Sequence, residues 1–113
     1  MSTTSKRSQL TGWKYSRTDK YSSKLKHFTV GAIATTISAV VPWATVAWAT
    51  SIANLAYQMN AKTVYYTVKV YFRYIKGTKL PRAEKDVVTV YSNSSRTHKI
   101  GKSHTKITYT PGW

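Results

Sequence analysis

The sequence predicts an α+β fold: an uncharged helical hairpin followed by a three- to four-stranded antiparallel meander, with a basic flexible N-terminal arm in front. Three observations predict it. No charged side chain occurs from Phe28 to Ala61, although the rest of the chain is crowded with lysine and arginine. Pro42 divides that run, because proline lacks an amide hydrogen and disfavours helix in the residue before it. From Thr63 onward the apolar period changes from that of a helix to the period two of a strand. Helices first and strands second imply one α+β domain over 28–113, and 113 residues can bury a core without disulfides.

Residues 1–27 carry seven basic residues and one acid, are rich in Ser and Thr, and lack sustained periodicity, which reads as the arm. Within it Trp13, Tyr15 and Tyr21 interleave with Lys14, Arg17 and Lys20, a pattern suited to a lipid interface or to stacking on bases. The hairpin spans 28–60. In its first half Val30, Ile33, Ile37, Val40 and Val41 share a face, with Ser22 and Ser23 as candidate caps. In its second half Pro42 suits a first-turn position, and Trp48, Ile52, Leu55 and Met59 recur at helical spacing. The Val41-Pro42-Trp43 corner is then the tip.

The meander covers 61–113. TVYYTVKVYFRYIK puts Val64, Tyr66, Val68, Val70, Phe72 and Tyr74 on one side, and Tyr65, Thr67, Lys69, Tyr71 and Arg73 on the other. A loop punctuated by Gly77 and Pro81 holds Glu84 and Asp86 nearby, where they would pair with Arg82 and Lys85. DVVTVYS forms a second strand with Val88 and Val90 on one face, and Asn93-Ser94-Ser95 reads as a turn. Short strands around His98 to Ile100 and Lys106 to Thr110 follow, separated by Gly101.

Neither half of the uncharged run makes a stand-alone membrane span, which needs about 20 apolar residues. The first half has 14 residues and the second has 20 including polar ones. As a pair they are apolar enough to enter a bilayer, and basic residues flank them on both sides. The candidate membrane-binding residues are Val30, Ile33, Ile37, Val41, Pro42, Trp43, Trp48, Ile52 and Leu55, with the Trp43 tip entering first. Thr36, Thr45, Thr50 and Asn54 would form a polar face toward an ion path. The candidate anionic-surface residues are Lys14, Arg17, Lys20, Lys24, Lys26, Lys62, Lys69 and Arg73. Static core and assembly interface are the competing readings of the hairpin.

A net charge of +15 calls for an anionic partner: lipid headgroups, a cell envelope or nucleic acid. Catalytic machinery is not legible. With three acids in the chain, no carboxylate follows His98 and His104 to orient an imidazole, and the pair lacks a third metal ligand. Glycine-rich phosphate loops are absent as well. The reading is therefore a non-enzyme without cofactor or metal. The start of the chain does not read as a secretory signal, though Ala47-Trp48-Ala49 fits a small-x-small cleavage pattern, and the chain is taken as a mature or leaderless form.

The VPW corner, the uncharged hairpin, the TVYYTVKVYFRY strand and the VYSNSSRTHKIG segment, over roughly residues 28–101, together resemble a loose set of uncharacterised small secreted proteins of Gram-positive bacteria, some of them bacteriocin-like. That resemblance carries over no functional residue. It implies an extracellular setting and a toxin role; association with target-cell membranes is the expectation from the hairpin and the charge. The leading expectation is thus a secreted, membrane-active antibacterial protein that binds anionic envelopes and permeabilises by hairpin insertion, with self-oligomers on the membrane forming the pore. An alternative is a nucleic-acid-binding module using Tyr65, Lys69, Tyr71 and Arg73 on a sheet face. Another is a phage or surface structural subunit that assembles through the hairpin.

Overall fold

The computed structural model describes residues 6–113. The chain runs β1 (Lys14–Lys24), α1 (Val30–Val40), α2 (Val46–Gln58), β2 (Thr63–Tyr74), β3 (Pro81–Tyr91) and β4 (Lys99–Tyr109). The four strands form one antiparallel sheet in the order β1-β2-β3-β4. The α+β class and the helical pair followed by strands therefore stand, but a strand precedes the helices.

The flexible arm over 1–27 is corrected by β1, an 11-residue strand paired with β2 from Lys14↔Phe72 to Lys24↔Thr63. An edge strand leaves no period-two apolar signal when most of it lies beyond the hairpin's cover, and its side chains here are mostly exposed. Its ladder to β2 and its Tyr and Thr residues hold it in place. Residues 6–13 are ordered too, with Leu10 buried and bridged to Ile75. Residues 1–5 of the expected arm lie outside the described residues.

The helices form where the uncharged run meets two threonine caps. Thr29 accepts from the Ala32 amide at 3.2 Å, displacing Ser22 and Ser23, which belong to β1. Thr45 caps α2 through the Trp48 amide, so Pro42 lies in the turn rather than in the first helical turn. Asn60, at φ 55°, ends the second helix in the left-handed conformation that asparagine tolerates.

The core lies between the hairpin and one sheet face. Ile33, Ile37 and Val41 come from one side, Ala49, Ile52, Ala53 and Ala56 from α2, and Val64, Tyr66, Val88, Val90 and Ile100 from the sheet. At 1.5 Å per residue the helices reach about 17–20 Å, whereas strands of 11 or 12 residues reach about 36–40 Å. The hairpin therefore covers only about half the length of that face.

Two further corrections concern β3 and β4. Glu84 and Asp86 lie within β3, not in a loop, and β4 is one strand across the expected break. Glu84 and Asp86 are held in β3 by their pairing with Phe72 and Val70, and β4 continues through a bulge: between the pairs Val88↔His104 and Val90↔Ile100, β3 advances two residues and β4 four. Gly101 sits in the bulge at φ +65°, and a Cβ there would meet Ile52 Cδ1 at 2.6 Å. Trp48 Nε1 donates to the Lys102 carbonyl at 2.7 Å. The bulge is where α2 docks on the sheet.

Candidate anionic-surface docking site

β1 ends and β2 begins side by side, at Lys24↔Thr63, so both ends of the hairpin return to one corner of the sheet. The Leu25 amide donates to the Lys62 carbonyl at 2.9 Å and closes this base. Phe28 stacks on Tyr57 with centroids 5.1 Å apart, and Lys62 Nζ lies 5.3 Å from the Phe28 ring. Tyr57 and Met59 are 46% and 50% exposed, although both belong to the uncharged run. Lys24, Lys26 and His27 are the neighbouring cations or potential cations, and none of them makes a side-chain hydrogen bond or ion pair. Among the described residues the one ion pair is Arg17–Asp19, at 3.2 Å and far along β1.

This corner gathers Lys24, Lys26 and Lys62 from the expected anionic-surface set and adds His27, Phe28, Tyr57 and Met59. Sequence reasoning missed the added four. The available signal was that a hairpin must bring the two ends of an uncharged run together, so Phe28 and Tyr57 had to meet.

The other expected cations disperse. Lys20 and Lys69 face outward on the sheet side opposite the helices, whereas Lys14 and Arg17 lie toward the far end of the helix side. Arg73 is engaged: its Nε donates to the Thr11 carbonyl at 2.8 Å, its Nη1 donates to the Tyr109 hydroxyl at 2.7 Å, and its guanidinium lies over Trp13. Lys85 lies over Trp13 and Tyr71, and Arg7 over Tyr109. Aromatic and cationic side chains thus pair with each other at that end. Of the four residues expected to read bases, Tyr71 and Arg73 are committed there, and Arg96 lies over the Tyr65 ring. Lys69 remains open.

The expected membrane-binding residues mostly face inward. Ile33, Ile37, Val41 and Ile52 are in the core, Val30, Trp43, Trp48 and Leu55 pack against it, and Pro42 is exposed. At the tip Trp43 and Trp48 hold His104 between them, with centroids at 5.5 and 5.3 Å and rings within 18° and 27° of parallel. Of the residues expected to form a polar face, Thr36 donates to the Ala32 carbonyl and Thr45 caps α2. No described helix is long and apolar enough to cross a membrane.

The far half of the helix-side face carries Glu84 and Asp86 in a cavity of about 390 Å³. Arg82 and Lys85 do not pair with them; Arg82 lies over Trp113 instead. Glu84 is held above the usual carboxylate range, first by its hydrogen bond to Asp86, then by burial and by the Asp86 charge, with Arg17 and Lys106 opposing. Burial raises the Tyr66 phenol; Ser23 tempers the shift without reaching regular hydrogen-bonding geometry.

No protein-family model, curated protein or solved structure matches the chain.

Proposed function

We propose that the protein is a small secreted bacteriocin-like protein that docks on anionic cell envelopes through the base of its hairpin. The observation that carries this reading is the half-exposed Tyr57 and Met59 set among Lys24, Lys26, His27 and Lys62, away from every acid. Each lysine near an anionic leaflet contributes about 1 kcal/mol, and burying apolar surface adds about 25 cal/mol per Å². Neither term suffices alone; together they give reversible binding.

Permeabilisation would be a second step in which the hairpin leaves the sheet. Its core side chains contribute about 1.5–3 kcal/mol each when fully buried, so opening into water would consume most of a domain's stability. A bilayer interface returns that cost by receiving Ile33, Ile37, Val41 and Ile52. At about 17–20 Å the helices fall short of a hydrocarbon core about 30 Å thick. The opened hairpin is therefore proposed to lie in the headgroup region and disorder it, with several copies acting together, rather than to cross as a span.

Vesicle co-sedimentation and dye release test both steps. Docking predicts binding to phosphatidylglycerol vesicles that weakens with salt, little binding to phosphatidylcholine, and loss of binding when Tyr57 and Met59 become Ser. Equal binding of that variant would reject the patch; binding without dye release would reject permeabilisation alone.

A second reading, nucleic-acid binding, draws on Lys20, Lys69 and Lys99, which are exposed on strands β1, β2 and β4. Tight oligonucleotide binding with a steep salt dependence, lost in Lys69→Gln, would favour it over the membrane reading.

A further inference from the structure

Beside the docking corner lies a cavity of about 380 Å³, lined by Lys24, Lys26 and His27 and by Ala32, Thr35 and Thr36 of α1. At about 30 Å³ per water it holds about a dozen waters, the low end of the volumes that take small ligands. That volume takes a compact group of headgroup size.

The lining selects by charge. Thr35 and Thr36 direct their hydroxyl protons to the Gly31 and Ala32 carbonyls, at 2.9 and 3.0 Å. The two ammonium groups and the imidazole are left as side-chain donors, and none has a partner within the described protein. No acid lines the cavity. Asp19, the acid nearest to Lys24 along β1, is held by Arg17. An isolated set of unpaired cations around a recess repels metal ions and amines and favours an oxyanion. Lysine ammonium groups accept phosphate as point charges without demanding one fork-like geometry.

We infer that this cavity is a binding site for one phosphoryl group, the phosphate of an anionic glycerolipid headgroup in the docked protein. This deepens the docking reading and rests on it for the source of the phosphate. His27, which lines the cavity, immediately precedes Phe28 of the Phe28–Tyr57 stack. A phosphate captured there leaves its glycerol beside the apolar patch.

The test uses the full chain, glycerol 3-phosphate as soluble probe, and phosphatidylglycerol vesicles. Two double variants remove equal charge: Lys24→Gln with Lys26→Gln at the cavity, and Lys69→Gln with Lys99→Gln on the opposite sheet face. The site predicts glycerol phosphate-dependent shifts of the His27, Ala32, Thr35 and Thr36 amides in the wild type, absent in the cavity variant. It also predicts that vesicle affinity falls ~10-fold or more in the cavity variant and clearly less in the control.

Equal losses in both variants would overturn the site and leave docking as general surface charge. Vesicle binding with no amide shift up to ~10 mM probe would overturn it too. Amide shifts without vesicle binding would support the phosphoryl site, assign it a soluble phosphoryl ligand, and end the lipid reading.

Discussion

Replacing Gly101 by Ala should loosen the hairpin at the place where it is fastened. The backbone there is left-handed, at φ +65°, which costs about 1–2 kcal/mol for a residue with a Cβ. The new methyl would start 2.6 Å from Ile52 Cδ1 and 3.1 Å from Leu55 Cδ1. Both are ends of flexible side chains, so part of the clash relaxes, but overpacking of this kind still costs about 1–3 kcal/mol. Restricting the unfolded chain returns about 0.4–1 kcal/mol. The net loss is about 1–4.5 kcal/mol, which at about 4 °C per kcal/mol lowers the melting temperature by about 4–18 °C. Gly31→Ala is the contrasting variant: it lies in α1, nothing comes within 4 Å of its Cβ, and it should stabilise by about 0.5–1 kcal/mol. Thermal unfolding followed by circular dichroism reads both. An unchanged melting temperature for Gly101→Ala would refute the close docking of α2 on the β4 bulge. The same variant also bears on function: if permeabilisation needs the hairpin to leave the sheet, dye release should rise at temperatures where the variant is still folded.

Three other outcomes follow from the same geometry. His104→Ala removes the ring shared by Trp43 and Trp48, should cost about 1–3 kcal/mol, and should shift tryptophan emission to the red; an unshifted spectrum would argue against the sandwich. Tyr66→Phe deletes a buried hydroxyl without a regular partner and should be neutral or stabilising, so a loss of more than about 1 kcal/mol in denaturant titration would contradict it. Glu84 is raised in the folded state, so the native protein holds its proton longer than the unfolded chain does, and this contribution to stability is lost as pH rises through the Glu84 titration. Glu84→Gln should therefore be more stable than wild type at neutral pH and lose that advantage under acid conditions; parallel melting curves across pH would reject the shared proton.

The presence of two helices was legible because Pro42 and the run from Phe28 to Ala61 act locally: one breaks the helix, the other removes any charge from its buried face. The alternation in β2 was legible for the same reason, since Val64, Tyr66 and Val68 bury one side. β1 was not, because its residues are recruited by a long-range ladder and carry little pattern of their own. The β4 bulge was hidden too: a glycine can end a strand or bend one, and the choice is made by Ile52 and Trp48 from a distant helix. At the site, Lys24, Lys26 and Lys62 were visible as flanking charges, whereas Phe28, Tyr57 and Met59 became significant only once the hairpin had brought its two ends together. Arg73 shows the reverse. It read as a free phosphate-binding cation, yet two backbone carbonyls and a phenol occupy three of its donors.

The placement of the three acids leaves the cations of the hairpin base uncompensated. Lys24 pairs with Thr63 at the hairpin base, while Asp19 pairs with Val68, Asp86 with Val70 and Glu84 with Phe72. At about 3.3 Å per residue these positions stand about 16, 23 and 30 Å from the base along β2. The Debye length in physiological salt is about 8 Å, so the field of every acid is largely screened before it reaches Lys24, Lys26 or Lys62. Arg17 further neutralises Asp19, the nearest of the three. Lys76 and Lys79, in the loop at the opposite end of the 51 Å slab, are equally free of ion pairs, so charge alone does not choose an end. At the hairpin base the exposed Tyr57 and Met59 add apolar surface beside the free cations, and the two together would hold that end on a leaflet. Moving a carboxylate into that corner, as in Asn60→Asp, should weaken docking more than the same charge added at Thr108 on the far half of the sheet, and equal weakening would remove the case for an oriented encounter.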